Sequence, residues 1–167
     1  MEKENLKKSF EPIISSNARI LIFGSLPSDR SIIKNEYYGN RTNHFWNILS
    51  LVFENKKIQF KDYDEKKQFL NRHGVALWDV YSSAKRKGSL DTNIQNGEFN
   101  DIKKLINNYQ TITKVILNGK EAEKSFQKYL KRENIHCDYQ YVPSSSSANT
   151  KYTVEEKAKL WKEAILK

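Results

Sequence analysis

Apolar residues fall along this chain in two patterns, short unbroken runs and longer stretches with helical spacing. Residues 18–25 (ARILIFGS) form a run that stops at a glycine and a serine. Such a near-continuous run reads as a strand covered on both faces, because apolar side chains fall on both of them. Residues 75–80 (VALWDV), 114–119 (KVILNG) and 138–142 (DYQYV, leading into Pro143) extend the series. Helical spacing lies between them, over 43–53 with Phe45, Trp46, Ile48, Leu49 and Val52, and over 62–72, 101–109 and 120–133. A last helix starts at Thr153, where Thr and Glu156 are spaced for a capping box, and it is expected to bury Ala158, Leu160, Trp161, Ala164 and Ile165. A further helix is expected over residues 4–13.

Strands that alternate with helices need crossover connections, so the chain predicts an α/β fold with a mostly parallel sheet between helical layers. With neither a repeat nor a linker in its 167 residues, positions 1–167 read as one domain. Ligands of an open parallel sheet sit beyond the carboxyl ends of its strands. Four polar segments stand there: 24–28, 79–83, 118–120 and 143–149.

Composition narrows the class. Twenty Trp, Tyr and Phe residues and an apolar content of 38% supply one modest core, which excludes a disordered chain. The single cysteine, Cys137, excludes an internal disulfide framework and a Cys-rich zinc site and suits a reducing cytoplasm. Three scattered histidines add no ligand spacing, so no metal and no cofactor is expected. No run approaches the ~18 apolar residues of a membrane span, and the charged start MEKENLKKSFEP lacks the apolar stretch of a signal peptide. The 29 Lys and Arg outnumber the 20 Asp and Glu, for a formal charge of +9. That excess fits a polyanionic partner. It also fits a gene biased toward A and T, since 23 of the cations are Lys and the chain is rich in Asn and Ile.

Two segments carry chemistry. In 24–28 (GSLPS), Gly24 lets the backbone approach a ligand and successive N–H groups can cradle an anion, though the same residues make an ordinary turn. The pattern is neither GxGxxG nor GxxxxGKS. In 37–46 (YYGNRTNHFW), aromatic rings can stack on a base, Arg41 can meet a phosphate, and an Asn amide can hold a water or a base edge. Asn43, just before Phe45 and Trp46, serves equally as a helix N-cap. The Asn40-Arg41-Thr42 sequon is set aside because nothing points to secretion. The serines 144–147 fit either a flexible connector or a site loop.

Taken in order, GSLPS, YYGNRTNHFW, GVALWDVYSSAKRKGSLD, VILNG and VPSSSSANTKYTVEEKAKLW resemble the uracil-DNA glycosylase superfamily over roughly residues 18–166. The likeness is strongest to its hypoxanthine-DNA (deoxyinosine) glycosylase branch, with the mismatch-specific uracil/thymine-DNA glycosylases as cousins. The resemblance implies a three-layer αβα sandwich on a four-stranded parallel sheet. Leu26 departs from the pattern, standing where other relatives carry the water-activating Asp or Asn, and leucine cannot orient water; the resemblance to the hypoxanthine branch implies instead that the Asn before the Phe-Trp pair, Asn43 here, is the catalytic amide. Tyr38 matches an aromatic that stacks on the extruded base, and Asp79 matches the position that reads the base edge, although an Asp at a strand end is also an ordinary turn residue. Gly24 and Ser25 would hold the base. Pro143, Ser144, Ser145, Ser146 and Ser147 match a loop that grips phosphates and wedges the duplex.

The resemblance thus implies a monomeric, monofunctional DNA glycosylase of the cytoplasm, acting on DNA that carries a deaminated base, hypoxanthine first. Excision of uracil or mismatched thymine is the near alternative, and a DNA-binding relative without catalysis the further one. A small hydrolase using Ser25 or Ser28 lacks a G-x-S-x-G elbow and a histidine partner.

Overall fold

The computed structural model describes residues 5–86 and 94–167. Among them the chain forms β1 (Asn5–Lys8), β2 (Ile20–Gly24), α1 (Asp29–Lys34), α2 (Phe45–Glu54), α3 (Tyr63–Arg72), β3 (Val75–Asp79) and β4 (Tyr81–Arg86). It continues through β5 (Ile94–Phe99), α4 (Ile102–Asn108), β6 (Lys114–Asn118), α5 (Lys120–Glu133), β7 (Gln140–Val142) and α6 (Val154–Leu166). The four runs make one parallel sheet in the order β3-β2-β6-β7, but β7 is an edge strand in which Gln140 and Tyr141 are exposed and only Val142 is buried, against the expectation of cover on both faces. Successive residues of a strand face opposite sides. Ile20 and Ile22 therefore join Phe45, Leu49 and Trp161 on one face, while Leu21 and Phe23 join Leu105, Phe126 and Tyr129 on the other. Helices on both faces complete the predicted three layers, and this is why residues 20–23 have no polar side.

α2 to α6 fall within about two residues of the predicted spans. At α6 the capping box forms: Thr153 Oγ1 accepts from Glu156 N at 3.1 Å, and Glu156 Oε1 accepts from Thr153 N at 3.2 Å. Ala158, Trp161 and Ile165 are buried as expected, but Leu160 and Ala164 are only half-buried, and Lys157 is buried instead.

Residues 5–13 correct the expected amino-terminal helix; Glu4 lies outside the described residues. β1 pairs antiparallel with β4, and Ile13 exchanges backbone bonds of 3.0 and 2.9 Å with Leu77. Sheet edges thus supply the bonds a helix would have supplied, and Pro12 has no N–H to continue a helical ladder. β4, β5 and β1 form a second, antiparallel sheet in the order β1-β4-β5, which the weakly apolar sequences of β4 and β5 do not announce. Gly97 makes room in it, since a Cβ there would lie 2.2 Å from the Tyr81 ring. This sheet braces segment 24–28. Leu26 packs with Tyr81 and Ala84, the buried Arg86 guanidinium donates to the Leu26 and Pro27 carbonyls, and Lys7 pairs with Asp29.

His44 stands at the N-cap of α2 and His73 at the C-cap of α3, the latter stacked on Phe53 with centroids 4.6 Å apart. Burial, before any neighbouring charge, lowers both imidazoles below their ordinary value.

Replacing Trp161 with Ala removes a fully buried ring and its hydrogen bond to the Pro143 carbonyl; urea unfolding should read a loss of about 3 to 5 kcal/mol, against about 1 kcal/mol for Thr153→Ala at the cap. Both histidines bind protons more weakly folded than unfolded, so their stability is complete above about pH 6.5 and is lost as pH falls through that value toward the depressed folded one. The melting temperature should drop between pH 7 and 5, and His44→Gln should shrink the drop while His73 retains its share.

Candidate active site

The carboxyl ends of β2, β3 and β6 and the loop after β7 converge on one cleft of about 510 Å³. Gly24, Ser25, Tyr38, Asn43, Asp79, Ser144, Ser145, Ser146 and Ser147 all line it. Pro143 does not; its carbonyl accepts from Trp161 Nε1 at 2.8 Å, and its ring borders a neighbouring groove beside β7.

Parallel register sets Gly24 of β2 beside Asp79 of β3. A Cβ on Gly24 would lie 2.8 Å from Asp79 Oδ1 and 3.0 Å from the Tyr38 hydroxyl, so the glycine is what lets the carboxylate and the phenol approach over the strand end. Tyr38 has a left-handed backbone, φ +51°, which costs energy for an aromatic residue. Three contacts hold it there. Its ring stacks on Phe45 with centroids 3.8 Å apart, Trp46 Nε1 donates to its carbonyl at 3.3 Å, and Asn118 Nδ2 donates to its hydroxyl at 3.2 Å. One ring face is thereby committed to Phe45. Behind it, Tyr37 donates its hydroxyl to the Glu11 carbonyl at 2.9 Å; burial first, and the Asp79 charge second, raise its pKa far above the ordinary phenol value.

Asn43 Oδ1 accepts from Phe45 N at 3.0 Å, and Asn43 N donates to Asn40 O at 2.9 Å. His44, which makes no side-chain cap, occupies the N-cap position, so the Asn43 carboxamide bonds the start of α2 from one residue earlier. A carbonyl oxygen has two acceptor sites, and one remains on Oδ1. Bonding the helix and facing the cleft are therefore compatible.

The sequence marked the segment of Asn118 but not its part. This residue, 8% exposed, donates Nδ2 to Ser145 Oγ at 2.9 Å and accepts from Ser145 N, also at 2.9 Å. With its bond to Tyr38 it ties two loops to the end of β6; the available signal was a lone amide closing the apolar run VIL. Thr42 Oγ1 accepts from Ser147 Oγ at 3.2 Å, a second tie between the serine loop and the segment before α2.

Leu26 lines the cleft while packing on the second sheet, an apolar wall where no water can be oriented. Ser28 caps α1, accepting from Ser31 N at 3.2 Å, and among the described residues no histidine lines the cleft. These facts remove support for a serine nucleophile.

Comparison with known proteins finds relatives over most of the chain. The model of the uracil DNA glycosylase superfamily matches residues 11–167. A hypoxanthine DNA glycosylase of Methanosarcina acetivorans is 33% identical over 148 residues, covering 89% of this chain and 91% of that protein. One from Methanosarcina barkeri is 34% identical over 159 residues, covering 95% and 98%. A solution NMR structure from Methanosarcina acetivorans, assigned to the uracil DNA glycosylases, superposes with a TM-score of 0.78 at 31% identity and covers 96% of this chain and 99% of its own. With the family model matched over residues 11–167 and relatives about one-third identical over most of its length, the chain belongs to the uracil DNA glycosylase superfamily.

Proposed function

We propose that this protein is a monofunctional DNA glycosylase that hydrolyses the N-glycosidic bond of deoxyinosine, releasing hypoxanthine. The observation that carries the reading is that Asn43, Asp79 and the serine loop line a single cleft in a chain one-third identical, along nearly its full length, to two hypoxanthine DNA glycosylases. All 167 residues act as one domain and as a monomer on DNA in the cytoplasm.

A base stacked in duplex DNA is out of reach, so the nucleotide is extruded into the cleft, which costs least where pairing is already faulty. Rupture of the C1′–N bond leaves positive charge on the sugar and negative charge on the departing base. Asn43 places water through the free acceptor site of Oδ1. An amide is no strong base, so much of the barrier is lowered by stabilising the leaving base. Asp79 accepts from the purine N–H, and the Gly24–Ser25 backbone closes over the ring. Tyr38 offers the base its remaining face, and the serine loop holds the flanking phosphates. No lysine among the described residues lines the cleft, which suits hydrolysis by water over a Schiff-base route with strand cleavage.

Labelled duplexes carrying inosine, xanthine, uracil or a G·T pair should acquire alkali-labile abasic sites with the native protein, inosine fastest. Asn43→Ala should slow single-turnover release on the order of a hundredfold or more while keeping affinity for the duplex. Native protein that binds inosine DNA and leaves no alkali-labile site in any duplex would refute the enzyme reading. Asp79→Ala should cost release of hypoxanthine roughly 10- to 100-fold, the worth of a hydrogen bond to a charged acceptor, with a smaller change in binding.

A further inference from the structure

The serine loop has all four of its leading carbonyls engaged by protein donors. Pro143 O accepts from Trp161 Nε1 at 2.8 Å, Ser144 O from Asn149 Nδ2 at 3.3 Å, and Ser145 O from His44 N at 3.0 Å. Ser146 O accepts twice, from Asn149 N at 3.1 Å and from Lys157 Nζ at 3.1 Å. The hydroxyls follow the same logic. Ser144 Oγ accepts from Ser146 N, Ser145 Oγ from Asn118 Nδ2, and Ser146 Oγ from Ala148 N, so each keeps its own proton to donate. A loop whose leading carbonyls are each engaged and whose Ser144, Ser145 and Ser146 hydroxyls keep a proton to donate is suited to meet an anion.

Lys157 is the part of this arrangement that folding does not explain. It is 0% exposed, and its ammonium has one bond, to the Ser146 carbonyl. Its position in the first turn of α6 places a cation at the positive end of a helix dipole, which opposes it. The two carboxylates of that turn are engaged elsewhere: Glu156 closes the capping box, and Glu155 pairs with Lys57 at 3.3 Å. No ion pair to Lys157 forms among the described residues. A buried ammonium without a partner is a cost to the folded protein, and apolar side chains of similar volume are commonly more stable in such places.

We infer that Lys157 is a positioning residue whose counter-charge arrives with the DNA: from beneath the serine loop it holds the Ser146 carbonyl and supplies fixed positive charge to the phosphate that the loop grips. The inference rests on the DNA-glycosylase reading and adds to it the source of charge behind a loop made only of neutral residues. Its ammonium acts through the loop and touches neither the base nor the reacting atoms.

The test is a Lys157→Met variant of the full chain, with affinity for an inosine duplex measured by fluorescence anisotropy over a series of KCl concentrations, beside melting curves without DNA. The expected variant melts at the native temperature or above it and binds on the order of tenfold more weakly at low salt, its plot of log affinity against log salt shallower by about one. An unchanged salt slope and affinity would overturn the inference while hypoxanthine release by the native protein kept the glycosylase reading intact. A variant that melts well below the native protein or fails to fold would also overturn it, because Lys157 would then be serving the fold. If the native protein neither binds nor cleaves the inosine duplex, both readings fall together.

Discussion

The site hangs on one buried carboxamide. Asn118 closes β6 at the centre of the parallel sheet, and its side chain bonds both the N–H and the hydroxyl of Ser145 as well as the hydroxyl of Tyr38. Those bonds fix the serine loop and the Tyr38 turn to the end of the central strand. A polar side chain so buried is tolerable only when its donors and acceptor are satisfied, and here those obligations are met by the two loops that wall the cleft. Satisfying the core and shaping the site are the same act.

Around that clamp the charges are divided with some economy. Arg86 sits behind the Leu26 and Pro27 carbonyls, and Lys157 behind that of Ser146, so each of the two loops flanking the cleft has a buried cation at its back. Asp79 lines the cleft wall beside Gly24, and in the proposed function it accepts from the purine N–H. Cations behind the walls suit a phosphate backbone that stays outside; a carboxylate inside suits a neutral base that comes in. This division bears on the net charge of +9, which alone does not separate a DNA partner from biased base composition.

Much of the fold was legible because it obeys simple periodicities. Runs such as ILIF and VIL have no polar side and so must lie between helical layers, and Thr153 with Glu156 announces the start of α6. The second sheet was not legible. Tyr81–Arg86 and Ile94–Phe99 carry few apolar residues and are held by backbone ladders and by the fit of Tyr81 over Gly97, which has no periodic signature. Residues 5–13 failed for a related reason, since edges of strands distant in sequence decide their conformation. At the site, Asn43 and the serine loop stood out through family resemblance, whereas Asn118 and Lys157 act through burial, which only the folded chain reveals.

The central claim is that the strand ends build one cleft that receives the extruded base. Amide NMR shifts of the protein, recorded with a duplex carrying a 2′-fluoro-deoxyinosine that resists cleavage, address it most directly. Perturbations centred on Gly24, Tyr38, Asn43, Asp79, Asn118 and Ser144 to Ser147 are the predicted result. Perturbations confined to the neighbouring groove beside β7, or to the outer helical faces, would contradict it.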